Sequence, residues 1–264
     1  ALDIIPASYK HSQEDPVTKL KITSLLATGD TSQLVAFFKE WSFNANSLVP
    51  IESAVRLLLG EKNYSQIIDI IEPLASSGEA TQTMERGLVR AYIFENKIEK
   101  AKVLLNSLIE KNPFDGELFY ELSRLEGKVG NVPKQRDLLE KAYMIEPSEK
   151  IVINYAYHLL QHSLPDQAVK LLEAHGADYP NHDNAKLLFA MVSVANEPQK
   201  ALKAYLSVPK PILYKSPDSL NNVAYLLAQN GQFEEARKYL NIALKADPDN
   251  SAYLDTKALI DESM

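Results

Sequence analysis

The chain has 264 residues, of which 45% are hydrophobic and 24% charged, proportions that are ordinary for a folded protein. Its formal net charge is −7, so a nucleic-acid partner is not expected, because binding to phosphates requires a basic surface. There are no cysteines, which excludes disulfides, thiolate metal sites and cysteine nucleophiles. No apolar run approaches the roughly 18 residues that a membrane-spanning helix needs, so no membrane-spanning segment is predicted.

The N-terminal part of the chain predicts an irregular arm followed by degenerate helix pairs. Residues 1–14 combine Pro, Ser, His and Gln without helical periodicity, and we expect an arm or linker there. Residues 15–75 have amphipathic helical spacing but lack a proline at the usual boundary between units. Ala1 is not a methionine, which predicts that an export signal or a tag has been removed from the N-terminal side.

Prolines recur at a nearly constant interval from the middle of the chain onwards. They are Pro113, Pro147, Pro180 and Pro248. The first two intervals are each about 34 residues, and the last is about twice as long, with a shortened unit predicted at 183–210. A period of this length is typical of helix–turn–helix repeats, and the apolar residues between the prolines follow helical spacing. Residues 76–250 are therefore predicted to form successive helix pairs, and 251–264 a closing helix.

The clearest unit spans residues 217–250. Small residues such as Ala224 and Ala243 stand where two antiparallel helices have to approach closely. Gly231 lies in the turn between the two helices, and Pro248 ends the second helix because proline cannot extend it.

These features resemble the tetratricopeptide repeat, whose pattern combines a small residue in each helix with a proline before the next unit. The match is close at 217–250, good at 149–180 and recognisable at 115–147. At 82–113, the bulkier Val89 takes a position that is usually small. The resemblance implies an all-α fold, a right-handed α-solenoid (superhelix) of about six or seven helix pairs with a C-terminal capping helix. The alternative, an α-helical bundle of unrelated amphipathic helices, leaves the regular period unexplained.

In such a stack, the first helix of each pair lines a concave face, and its side chains outside the core would contact a ligand. Aromatic, Arg and Asn side chains suit peptide recognition, because they offer contact area and oriented hydrogen bonds. The predicted ligand-binding residues of the concave face are Arg86, Arg90, Glu117, Tyr120, Arg124, Lys128, Lys150, Tyr157, Gln161, Asp218, Asn221, Tyr225 and Gln229. The alternative for each is a packing or solvated side chain.

Other chemistry finds little support in the sequence. His158 and His162 lie one helical turn apart, a spacing able to hold zinc, but no third ligand is evident and a solvated helix face is predicted. Residues 208–217 contain three prolines and lack a helical pattern, so we expect a stiff, extended segment that bridges two units, with a lid or a docking strand as the alternatives. No catalytic residue, metal site or cofactor is predicted.

The resemblance implies a non-enzymatic scaffold that binds a protein or peptide, with self-association as a further option, and that organises a multi-protein complex. Bacterial proteins of this family often act at the cell envelope, which slightly favours the periplasm or envelope over the cytoplasm. Two alternatives stay open: a regulatory or substrate-presenting domain of a larger transferase or synthase, and a glycan-binding repeat protein. Binding of acidic chaperone tails is not expected, because the basic partners of Asn154 and Asn222 do not recur.

Overall fold

The computed structural model describes residues 16–28, 33–34, 36–38, 40 and 49–263. Within these ranges the chain forms fifteen helices with defined bounds and no β-strand. The chain divides into two compact units, Ala1–Phe114 and Asp115–Met264. The predicted arm at 1–14 lies outside the described residues. None of the helices within the described ranges combines the length and apolarity that crossing a membrane requires.

Among the described residues, the first unit contains a first helix, further helical residues at 33–34, 36–38 and 40, and two helix pairs. Its helices with defined bounds are α1 (Pro16–Thr28), α2 (Val49–Gly60), α3 (Tyr64–Ser76), α4 (Gln82–Phe94) and α5 (Ile98–Lys111). The first helices of the two pairs, α2 and α4, contact each other. At this contact, a Cβ added to Gly87 would lie 2.3 Å from Val55 Cγ1, so glycine permits an approach that any larger residue would block.

The second unit contains four helix pairs, a short helix and a closing helix. They are α6 (Gly116–Lys128), α7 (Val132–Ile145), α8 (Glu149–Gln161), α9 (Pro165–Asp178), α10 (Asp183–Ser193), α11 (Pro198–Ser207), α12 (Lys210–Leu213), α13 (Pro217–Gln229), α14 (Phe233–Ala246) and α15 (Ser251–Glu262). Each first helix contacts its own second helix, and α15 packs against both α13 and α14. The prediction of an all-α stack of helix pairs with a C-terminal closing helix is confirmed.

Small residues stand at the contacts within the pairs of the second unit. Ala156 and Ala168 join α8 to α9, and Ala224 and Ala236 join α13 to α14; all four are fully buried. Leucines such as Leu159 and Leu172 fill the space on either side of the alanines. Burial of this apolar surface between neighbours contributes roughly 25 cal/mol per Å² and provides much of the stability of a stack.

Side-chain caps mark the start of most first helices. The capping residues are Thr81, Asp115, Ser148, Ser216 and Asn250, each accepting a hydrogen bond from a backbone N–H of the following first turn. They satisfy N–H groups that have no partner inside the helix. Helix α10 differs, because its N-cap His182 makes no such bond. Instead, Glu149 of α8 accepts from Asn184 N at 2.7 Å and from Ala185 N at 3.2 Å.

The turn inside five of the helix pairs contains one residue with a left-handed backbone. These residues are Lys62, Asn96, Gly130, Ser163 and Gly231, with φ between 55° and 76°. Left-handed backbone is easiest for glycine, which lacks a Cβ, and carries a cost for other residues. The recurring position shows that the same hairpin geometry is repeated whether or not glycine is present.

Residues 208–217 differ from the predicted extended segment. Lys210–Leu213 form the short helix α12, because Pro211 lies in the first turn, where the missing N–H of proline is not needed. Leu213 is buried, while the ring of Tyr214 packs edge-on against Tyr239, with the centroids 6.5 Å apart. The segment therefore contributes to the core between α11 and α13 and is not a lid.

We predict that Ala168→Trp, at the fully buried contact between α8 and α9, lowers the thermal midpoint, because the larger side chain overpacks the contact. The expected cost is about 1–3 kcal/mol. In a protein of this size that corresponds to roughly 2–4 °C for each kcal/mol. Ala174→Trp, at an exposed position of the same helix, is the control and should leave the midpoint nearly unchanged in circular-dichroism melting. Equal shifts for the two variants would contradict the proposed packing.

Candidate functional site

The first helices of the second unit lie side by side. Helix α8 contacts α10, α10 contacts α13, and α13 contacts α15. Their second helices lie behind them, so the side chains of the first helices that are not in the core share one surface. We call this surface, represented by Arg124, Tyr157, Met191 and Tyr225, the first-helix face.

Four of the predicted residues form a cluster where α6 meets the start of α8. The Lys150 ammonium lies 4.3 Å from the centroid of the Tyr120 ring, and the Arg124 guanidinium lies 6.0 Å from it. Lys150 also pairs with Glu117, and Arg124 pairs with Glu121 at 3.1 Å. Tyr120 is only 5% exposed and packs into a core cluster with Leu139 and Ile151. Its phenol is thus covered by cations, and burial raises the pKa of Tyr120 although Lys150 and Arg124 lower it.

A second group of predicted residues lies on α13. The Tyr253 O–H of the closing helix donates to Asp218 Oδ1 at 2.5 Å, and burial together with this bond raises the pKa of Tyr253 to about 12. Gln229 Nε2 donates to the Tyr225 hydroxyl at 2.6 Å, which fixes the direction of that ring. Asn221 is 7% exposed, and its buried Oδ1 has no hydrogen-bond partner among the described residues.

The other predicted residues are mostly exposed. Lys128, Tyr157 and Gln161 are open to solvent on α6 and α8, and the Tyr157 side chain is 49% exposed. Arg90 is exposed and Arg86 half-buried on α4, which belongs to the first unit. The structure therefore places eleven of the thirteen predicted residues on the first helices of one unit.

Met191 is a residue of this surface that the sequence analysis missed. It lies on α10 and is 40% exposed. It stands one repeat period after Tyr157 and one period before Tyr225, so the repeat places it in the same row. The regular spacing of the boundary prolines did not reveal this position, because residue 214, one period after Pro180, is a tyrosine and not a proline.

The opposite side of the second unit has a cleft of about 250 Å³ between α9 and α11, with Phe189 and Lys186 of α10 among its lining residues. Lys200 spans this cleft, pairing with Glu173 at 2.7 Å and with Glu197 at 3.0 Å. The first unit has a comparable cleft of about 510 Å³, where Lys100 pairs with Glu72. The lining of each cleft thus carries an ion pair between neighbouring second helices.

The two histidines at zinc-binding spacing do not share a solvated face. His162 is exposed, as predicted, but His158 is only 3% exposed, so the prediction is wrong for His158. Neither ring nitrogen of His158 has a hydrogen-bond partner among the described residues. Within the ranges that the structure describes, no group of three His, Cys, Asp or Glu side chains is able to hold a metal ion.

Comparison with known proteins agrees with this architecture. Residues 217–250 match the tetratricopeptide repeat family. The C-terminal part of a TPR repeat-containing protein from Cytophaga hutchinsonii superposes with a TM-score of 0.64 at 16% identity, covering 90% of this chain and 98% of that chain. YrrB, described as a TPR protein with an unusual peptide-binding site, gives a TM-score of 0.54 at 17% identity, covering 71% of this chain and 96% of that chain.

A third solved structure, pilF of Pseudomonas aeruginosa, gives a TM-score of 0.50 at 16% identity, covering 68% of this chain and 86% of that chain. Among curated proteins, none matches the sequence significantly. The predicted resemblance to the tetratricopeptide repeat family is confirmed by the matched repeat at 217–250 and by the shared fold.

We predict opposite effects for two neighbouring asparagines of α13. Asn221→Leu should leave the thermal midpoint unchanged or raise it, because an unpaired buried amide oxygen costs about 1–3 kcal/mol. Asn222→Leu should lower the midpoint, because Asn222 Nδ2 donates to the hydroxyl of fully buried Tyr205 at 2.9 Å. Differential scanning fluorimetry of the two variants checks this, and a loss of stability in Asn221→Leu as large as that in Asn222→Leu would contradict it.

Proposed function

We propose that this chain is a non-enzymatic scaffold that binds an extended segment of a partner protein on the first-helix face of its second unit. The proposal rests on one observation. Arg124, Tyr157, Met191 and Tyr225 recur once per repeat on successive first helices, and the first three of them are exposed.

The chemistry of this row suits a peptide. Tyr157 and Met191 offer exposed apolar area on helices that are themselves held rigidly by packing. Tyrosine gives large contact area at low entropy cost, and methionine adapts to different side chains. Packed helices lie about 8–10 Å apart, so α8, α10 and α13 together offer roughly 16–20 Å. An extended strand of about five or six residues covers that distance.

A polar group of the row suits the main chain of a bound segment. The Tyr225 hydroxyl, which accepts from Gln229 Nε2, keeps its own proton to donate. A peptide presents C=O groups along its main chain, which can accept from this hydroxyl. Recognition through the main chain would allow several partner sequences to bind, which supports a role in organising a multi-protein complex.

Other features favour the first-helix face over the opposite side of the same unit. The cleft between α9 and α11 is spanned by the ion pairs of Lys200, whereas Tyr157 and Met191 are exposed. The solved YrrB structure is described as having a peptide-binding site, and the shared fold makes the same use a reasonable starting point for this chain. The net charge of −7 favours a protein segment over nucleic acid.

A displayed library of random peptides, selected against the full chain, tests the proposal. Selected peptides should bind Tyr157→Ala and Met191→Ala at least about tenfold more weakly in fluorescence anisotropy, which corresponds to about 1.4 kcal/mol. The matched controls are Met144→Ala and Leu206→Ala on the second helices α7 and α11, whose side chains are 73% and 49% exposed. The controls should leave affinity within about twofold, because truncation of an uninvolved surface residue costs little.

Equal weakening by the first-helix and second-helix variants would contradict the proposal. So would a selection that yields no peptide whose binding depends on Tyr157 or Met191.

A further inference from the structure

Histidine is concentrated in one repeat of this chain. Four of the five histidines fall within residues 158–182, which contain the last turn of α8, the whole of α9 and the N-cap of α10. Two of them, His158 and His175, are buried, with 3% and 0% of the residue surface exposed. Burial disfavours the charged form of both imidazoles, and at His158 it also leaves the two ring nitrogens without hydrogen-bond partners among the described residues.

His175 replaces a small or apolar core residue. It lies five residues before Pro180, and the residues five before the other boundary prolines are Leu108, Ala142 and Ala243. All of these equivalents are fully buried. At this one position the chain therefore places an imidazole where the other repeats place a packing residue.

The His175 ring connects three elements through hydrogen bonds. Its Nδ1 lies 3.3 Å from the Tyr143 hydroxyl of α7, and its Nε2 lies 2.8 Å from Nδ1 of His182, the N-cap residue of α10. With both rings neutral, one ring donates an N–H to the other across this contact, and the Tyr143 hydroxyl donates to or accepts from His175 Nδ1 according to the tautomer. When both rings are protonated, two N–H groups face each other and the bond between the rings is lost.

The surroundings of His175 also disfavour a proton. Burial is the main cause that lowers its pKa, and His182 lowers it further, while Glu149 and Asp178 act in the opposite direction. The ring of Tyr179 stacks on His175, with the centroids 4.8 Å apart. The charged form is therefore accepted less readily in the folded protein than in water.

His158 occupies the second unusual position. The equivalent residues of two other repeats are Leu125 and Leu226, both buried. Neither nitrogen of His158 has a partner among the described residues, so nothing there compensates its burial. Burial lowers the pKa of His158 most, followed by His162, whose ring centroid is 4.6 Å away, and by Arg136 of α7.

We propose that acid weakens the packing of the repeat formed by α8 and α9, which is part of the first-helix face. The helices of this repeat, which we call the joint, pack tightly near neutral pH and separate more readily below about pH 6. For both buried histidines the folded-state pKa lies below the ordinary 6.5, so the unfolded state binds more protons as the pH falls through 6.5. Stability contributed by these contacts is complete above that value and is lost as the pH falls.

The joint lies within the proposed binding surface, and this last step rests on the proposed function. Tyr157 directly precedes His158 on α8. Glu149 at the start of α8 caps α10, the helix that contains Met191, through Asn184 N and Ala185 N. Loosening of α8 and α9 therefore displaces Tyr157 from its row with Met191 and Tyr225, and the bound segment is released.

Hydrogen exchange of the full chain, followed by mass spectrometry at pH 7.5 and pH 5.5 and corrected for intrinsic rates, tests the joint without any ligand. We expect α8 and α9 to lose protection in acid while α13 and α14 keep it. Since pH 5.5 is one unit below the ordinary histidine pKa, the loss should be at most about tenfold for each buried histidine. Unchanged protection of α8 and α9, or an equal loss across α13 and α14, would overturn the proposal.

His158→Leu should reduce the acid-induced loss, and it should fold because leucine stands at the equivalent position of two other repeats. Gln167→Leu, at an exposed position of α9 that influences neither buried histidine, is the control and should behave as the unsubstituted chain does. A histidine-free peptide from the library selection should then bind less tightly at pH 5.5 to the unsubstituted chain than to His158→Leu. Equal acid weakening in both, alongside a confirmed exchange result, would overturn the coupling to binding while leaving the binding face itself established.

Discussion

Close contact between helices at fully buried small residues is the constraint on which the structure depends. Ala156 meets α9 at Ala168, and Ala224 meets α14 at Ala236, with no surface left exposed at any of the four. Larger residues would force each pair apart and shift the next pair with it. Because the pairs are held closely, consecutive first helices are neighbours, and their remaining side chains form one continuous face.

The sequence could predict most of the fold because the repeat is encoded locally. Boundary prolines, buried alanines and turn residues recur once per repeat, and these determine where helices begin and end. Residues 208–217 were the exception, since proline tolerated in a first turn cannot be told from proline in an extended segment by spacing alone. Helix α12 forms there because Leu213 is buried in the core.

The candidate site was harder to predict, because exposure depends on the next repeat. Tyr120 was expected to face a ligand, yet Lys150 and Arg124 cover its ring, and Lys150 belongs to the following first helix. His158 was expected in solvent but lies in the core. The exposure of these two side chains depends on residues of neighbouring helices, which come close only when the repeats stack. Met191, in contrast, follows from the period once the shortened unit is aligned with its neighbours.

The left-handed turn residues have a consequence for how such a chain can change over evolutionary time. Two of the five turns contain glycine, while Lys62, Asn96 and Ser163 hold the same backbone angle with a side chain attached. Such a residue costs roughly 1–2 kcal/mol relative to an unstrained one. Each of these hairpins can therefore gain thermal tolerance through replacement of one residue by glycine, without altering either surface of the helices that it joins. Thermal stability, which depends on the turn residues, and binding specificity, which depends on the helix surfaces, can therefore evolve separately in this architecture.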